Sequence, residues 1–130
     1  MRTVTIIILL LVTAYKLHGQ IKVEFGRASY YADSFNGKRT SNGEIYDPHK
    51  LTGAHKSLPL NTYVKITVIK TGKSVIVKIN DRGVLHDDVI IDLSYAAAKK
   101  IGLVEPGVLD VKLEYADPLD SYKVLEDKYH

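Results

Sequence analysis

Residues 64–83 read VKITVIKTGKSVIVKINDRG, and this stretch decides the fold. Val64 to Ile69 and Ser74 to Ile79 are runs rich in β-branched residues, separated by Lys70-Thr71-Gly72-Lys73 with glycine at the bend. That pattern is a β-hairpin. In the second run Val75, Val77 and Ile79 fall on one face and Ile76, Lys78 and Asn80 on the other, as a half-buried strand requires. The strand runs directly into Asn80-Asp81-Arg82-Gly83, so an acid sits where it ends.

Working outward, Val23 to Tyr31 and Val108 to Tyr115 read as further strands, and Val89 to Leu93 as a buried one. Phe35 to Pro48 is rich in Asn, Gly, Ser and Asp and reads as a long loop. Ser94 is an N-cap for a short helix over Tyr95 to Ile101, with Ala96, Ala97 and Ala98 as good helix formers and Gly102 as the stop. Short strands with one short helix imply an all-β fold, a small closed barrel, because closure removes exposed sheet edges. Periodicity does not choose the barrel topology.

The first residues read as an address. Arg2 precedes an apolar run from Val4 to Val12, and Leu17-His18-Gly19 ends in a small residue. The expectation is a signal peptide over 1–19, a barrel domain over 20–116 and a polar tail over 117–130. The run is shorter than the roughly 18–20 apolar residues that cross a bilayer, so no lasting membrane anchor is expected. With no cysteine, neither a disulfide nor a lipidated cysteine is available, and a core must supply the stability.

The 130 residues carry 18 basic and 15 acidic groups. Losing Arg2 and Lys16 with the leader leaves 16 against 15, net +1. No basic cluster interleaved with aromatics points to nucleic acid. His49, His55 and His86 lack the spacing of zinc ligands, so no metal is expected.

Four words carry groups able to move or stabilise protons. Asp81 follows the apolar Val75-Val77-Ile79 face, so partial desolvation is expected to raise its pKa; the bland alternative is a turn cap before Gly83. Glu44 lies in Asn42-Gly43-Glu44, either a loop closing on a ligand or a solvated carboxylate, while Asp47 organises the turn at Pro48. His55 either bonds a ligand or orients a carboxylate, or is a partly buried ring satisfied by backbone. Asp92 stands two residues before the helix, so a structural bond to the helix N-terminus competes with a site role. Tyr30, Tyr31 and Tyr46 offer apolar faces with polar tips, and Asn80 and Arg82 flank the Asp81 carboxyl.

Five words occur in order: G-x-A-S-x-Y, T-x-N-G-E-x-Y-D, A-H-x-x-L-P, N-D-R-G and I-I-D-L-S-x-A-A-A. Together they resemble the rare lipoprotein A family of bacterial envelope proteins, over Gly26 to about Leu113. The resemblance implies a six-stranded double-psi β-barrel related to expansins and family 45 endoglucanases. It implies lytic transglycosylase activity on peptidoglycan glycan strands poor in stem peptides, in the periplasm or cell envelope, with no cofactor. It also implies catalytic roles for Asp81, Glu44 and His55, and for Asp92 through the expansin-like D-L word, with Tyr30, Tyr46, Asn80 and Arg82 as substrate contacts. Such an enzyme protonates the leaving oxygen and closes an anhydro ring through an oxocarbenium-like transition state.

The chain departs from the pattern after Asn80-Asp81-Arg82-Gly83. Val84 and Leu85 replace a proline and an aromatic, and His86-Asp87-Asp88 makes a usually more basic stretch acidic. A non-catalytic expansin-like binding module is the alternative reading. A third is a hydrolase using Asp81 and Asp92 with water.

Overall fold

The computed structural model describes residues 23–83 and 87–116. The expected leader and tail, and the departures at Val84, Leu85 and His86, lie outside the described residues. Six strands, β1 (Val23–Tyr30), β2 (Thr52–Ala54), β3 (Tyr63–Val68), β4 (Ser74–Asp81), β5 (Val89–Leu93) and β6 (Leu109–Tyr115), close into a barrel in the order β1-β5-β2-β4-β3-β6. The β1–β5 and β2–β4 pairs are parallel and the other four antiparallel.

The hairpin expected from residues 64–79 joins β3 to β4. Gly72 takes φ 74° at its bend, a conformation that costs glycine little, and its N–H donates to the Val68 carbonyl at 2.8 Å. Strict alternation then fills the barrel. Val64, Ile66 and Val68 from β3 meet Val75, Val77 and Ile79 from β4, all buried, with Ile91, Leu93, Val111 and Leu113 from the other staves. Each such side chain contributes about 1.5–3 kcal/mol by leaving water.

One α-helix is present among the described residues, α1 (Tyr95–Lys100), separated from β5 by Ser94 alone. Ser94 caps it by accepting the Ala97 N–H. Its end is a Schellman motif: the Leu103 N–H returns to the Ala98 carbonyl at 2.9 Å, the Gly102 N–H to Lys99 at 3.3 Å, and Gly102 adopts φ 73°. Ala97, Ala98, Ile101 and Leu103 cover the barrel from this side.

Periodicity does not reveal β2. Thr52-Gly53-Ala54 is too short for an alternation, and all three residues are buried. Gly53 fits closely there: a Cβ would stand 3.3 Å from the Asp92 carbonyl oxygen and from Ile91 Cδ1, so either would have to give by a few tenths of an ångström. Against β4 the register slips: Gly53 stands beside Ile79, but Ala54 beside Asp81. The extra residue, Asn80, is a β-bulge. It moves Asp81 off the Val75-Val77-Ile79 face and brings it, by register, to the face that carries Lys78.

Candidate active site

The end of β4 is met by the loop 39–46, which folds back on itself through the isolated bridge Arg39–Ile45. The Thr40 N–H donates to the Glu44 carbonyl at 2.7 Å and the Gly43 N–H to Thr40 at 3.0 Å, with Gly43 at φ 92°. Asn42 is the hub of this turn. Its Oδ1 accepts from the Thr40 hydroxyl at 2.8 Å and the Glu44 N–H at 3.0 Å, and its Nδ2 donates to Glu44 and to Asn61 Oδ1. Its own N–H bonds the Asn80 carbonyl, which fastens the loop to β4.

Asp81 accepts four hydrogen bonds from described residues. Oδ2 accepts the Tyr31 phenol at 2.7 Å, and Oδ1 accepts the Ser41 hydroxyl at 2.7 Å, the Ser41 N–H at 3.1 Å and the Arg82 N–H at 2.9 Å. Burial pushes its pKa up, but the Ser41 and Tyr31 hydroxyls and the two backbone donors outweigh it and hold the carboxyl below its ordinary value. This corrects the sequence expectation of a raised pKa. The bulge at Asn80 placed Asp81 among donors rather than on the apolar face. Tyr31 shifts the other way: burial first, then the bond to Asp81, push its phenol up, so it stays a neutral donor.

Glu44 is held by Lys78, whose Nζ lies 2.8 Å from Oε1 and 2.9 Å from Oε2. The Asn42 amide and then Lys78 lower its pKa against the opposing effect of burial. Glu44 lines an open pocket with Ile45, Tyr46, Asp47, Pro48 and Lys50. Loop 39–46 thus carries Glu44 itself and, through Ser41, bonds Asp81. Asp47 organises its turn by accepting the His49 N–H at 2.9 Å.

The other expected site residues are placed differently. The His55 ring is buried and its polar atoms are engaged: Nδ1 accepts the Ser57 and Leu58 N–H groups, both at 3.0 Å, and Nε2 lies 2.9 Å from Glu24 Oε2. Its contact with Asp81 is through the backbone, the His55 N–H donating to the Asp81 carbonyl at 3.0 Å. Arg82 donates to the carbonyls of His55 and Leu58, so its head braces this turn instead of reaching toward a ligand. Asp92 is fully buried and accepts the Ser29 hydroxyl. The helix that follows is capped by Ser94, which accepts the Ala97 N–H.

Asn80 is buried, and its Oδ1 has no hydrogen-bond partner among the described residues. Tyr30, half-buried, sends its hydroxyl to the Val104 carbonyl at 3.0 Å and packs edge-on to Tyr95. Tyr46 is buried, its ring tilted against Tyr31 with centroids 4.6 Å apart, and its hydroxyl accepts the Tyr95 N–H. It reaches ligand space only where it lines the pocket beside Glu44. Sequence reading missed Glu24, Ser41, Asn42 and Lys78 as partners. Ser41 and Asn42 had a signal, since both lie inside the T-x-N-G-E word.

A closed six-stranded barrel of mixed pairing, with carboxylates gathered where β4 ends, defines a double-psi β-barrel protein. Residues 23–113 match the lytic transglycolase family, and the chain belongs to it. It is 56% identical over 91 residues to the endolytic peptidoglycan transglycosylase RlpA of Vibrio cholerae, covering 70% of this chain and 35% of the relative. The Pseudomonas aeruginosa protein of that name is 53% identical over 94 residues, 72% of this chain and 28% of its own. The match to the Neisseria meningitidis protein is 50% over 103 residues, 79% and 43%. The chain therefore spans roughly a third of the curated relatives' length.

Solved structures share the fold. The Streptomyces papain inhibitor superposes with TM-score 0.60 at 21% identity, covering 74% of this chain and 96% of the inhibitor. Clavibacter michiganensis expansin gives 0.58 at 20% identity, covering 75% of this chain and 52% of the expansin.

Proposed function

We propose that this barrel is an endolytic peptidoglycan lytic transglycosylase. It cleaves the bond between N-acetylmuramic acid and N-acetylglucosamine and leaves a 1,6-anhydro end, acting on peptide-poor glycan strands in the cell envelope after export. The observation that carries the reading is Asp81, a carboxylate at the end of β4 within a domain about half identical to named peptidoglycan transglycosylases.

In the proposed reaction the Asp81 carboxyl gives its proton to the glycosidic oxygen, and the bond from the muramic C1 breaks. The Asp81 carboxylate then takes the proton of the muramic 6-hydroxyl as O6 bonds to C1. The carboxyl is regenerated and no water is consumed. In the free site Asp81 is ionised. A sugar seated over it deepens the burial that raises its pKa, and a Ser41 hydroxyl turned toward the sugar removes a donor that lowers it. Negative charge close by stabilises the oxocarbenium-like transition state.

A second reading is favoured by one observation: both Asp81 and Glu44 are held below their ordinary pKa values, as in a groove that binds glycan without protonating it. An expansin of this fold has been solved in complex with cellohexaose. Incubation with purified sacculi, intact and stripped of peptides, separates the readings by product mass. Anhydro-muramyl ends support the transglycosylase. New reducing ends would replace it with a hydrolase. Co-pelleting without soluble product would leave the binding module.

A further inference from the structure

We infer that Lys78 fixes Glu44 as the standing anion of the site and leaves proton transfer to Asp81. The inference deepens the transglycosylase reading and rests on it for the chemistry, but not for the ion pair. Two carboxylates beside one loop can divide acid and anion in either order. The structure distinguishes them by their partners. Every donor described on Asp81 is neutral: a phenol, a hydroxyl and two backbone N–H groups. Glu44 has a full cation on both oxygens, with the Asn42 amide as well.

Protonating Glu44 would break an ion pair with a full cation, whereas protonating Asp81 gives up only hydrogen bonds from neutral donors. A fixed ion pair also needs no reorganisation as positive charge develops on the sugar. Lys78 is well placed for this work. It lies on β4, and the bulge at Asn80 returns Asp81 to its face. Its side chain is 25% exposed and that of Glu44 39%, so the pair sits at the rim rather than in the core. Among the described residues, Lys50 acts on Glu44 in the same direction, Asp47 lines the same pocket, and Arg39 donates to the adjacent Gly43 carbonyl at 2.8 Å. Lys78 is thus a positioning residue, acting through Glu44 and not on the sugar.

The test compares wild type, Lys78→Met and Lys78→Arg on peptide-stripped glycan strands, with kcat/KM followed against pH. Removing the cation lets Glu44 protonate more easily. Lys78→Met is therefore expected to lose about fivefold or more at the acidic end of the profile while keeping its alkaline side, with Lys78→Arg restoring both. A gain on the alkaline side would make Glu44 the proton donor and overturn the inference. A uniform loss that tracks a fall in Tm would make Lys78 structural, and an unchanged profile would remove it altogether. Titrating the Glu44 carboxyl by NMR gives a readout without turnover. Its midpoint must rise in Lys78→Met, and an unmoved midpoint refutes the inference. An inactive wild type with a shifted midpoint refutes only the transglycosylase reading.

Discussion

Tyr31, just beyond the end of β1, and Asp81, the last residue of β4, meet across the barrel with the phenol oxygen 2.7 Å from Oδ2. Two strands, β5 and β2, lie between them in the sheet. The phenol ring is tilted against both Tyr46 and Phe35, so its position is set by packing and its proton is committed to the acid.

Tyr31→Phe is expected to remove a donor to the ionised carboxylate and raise the Asp81 pKa. A carboxylate depressed in the folded state contributes stability above its unfolded pKa and loses it as pH falls through the folded value. The variant should therefore lose about 1 kcal/mol at neutral pH, the low end for a bond to a charge because Asp81 is partly open to water. The difference from wild type should vanish once acid protonates Asp81 in both. Urea unfolding at neutral and acidic pH checks this, and a deficit that persists in acid would mean the hydroxyl matters for packing.

Asp81→Asn keeps acceptors for Ser41 and Arg82, and its amide can donate to the Tyr31 oxygen. Turnover on stripped glycan should fall by about 10²–10⁴-fold. Tm should stay within about 5 °C of wild type. A collapse of folding would make Asp81 structural.

Glu24→Ala is expected to leave the His55 Nε2 proton without its carboxylate and to cost about 1 kcal/mol, while Glu24→Gln, which retains an acceptor, stays near wild type. Nitrogen-15 spectra of the imidazole should show the Nε2–H tautomer, because Nδ1 accepts two backbone N–H groups. The Nδ1–H tautomer in wild type would contradict the arrangement.

Gly26→Ala would set a Cβ 2.5 Å from Ile90 Cγ2, where the parallel β1 and β5 pack. Ile90 is β-branched and stiff at χ1, so it yields poorly. The expected loss is about 1–3 kcal/mol, measured by thermal unfolding. A neutral result would show that β5 shifts outward freely.

Much of the barrel was legible because its signals are local. The alternation of Val75, Val77 and Ile79 reports a strand from side chains two residues apart, and Ser94 and Gly102 mark the two ends of α1 by backbone preference alone. β5 was read with its observed bounds, Val89–Leu93. β2 was not legible, since three residues make no period and its place between β5 and β4 comes entirely from pairing. Glu44 and Asp81 could be picked out from the motif words as candidates, but their partners could not.

Sequence alone determined which runs are extended, where the helix starts and stops, and which carboxylates stand at strand ends, because neighbours along the chain decide these. Tertiary structure decided the partners and the direction of each group. The bulge at Asn80 carried Asp81 from the apolar face to a set of donors, Lys78 reached Glu44 across 34 residues, and Glu24 reached His55 across 31. Electrostatic effects depend on separation in space, and no spacing along the chain encodes that separation until the barrel closes.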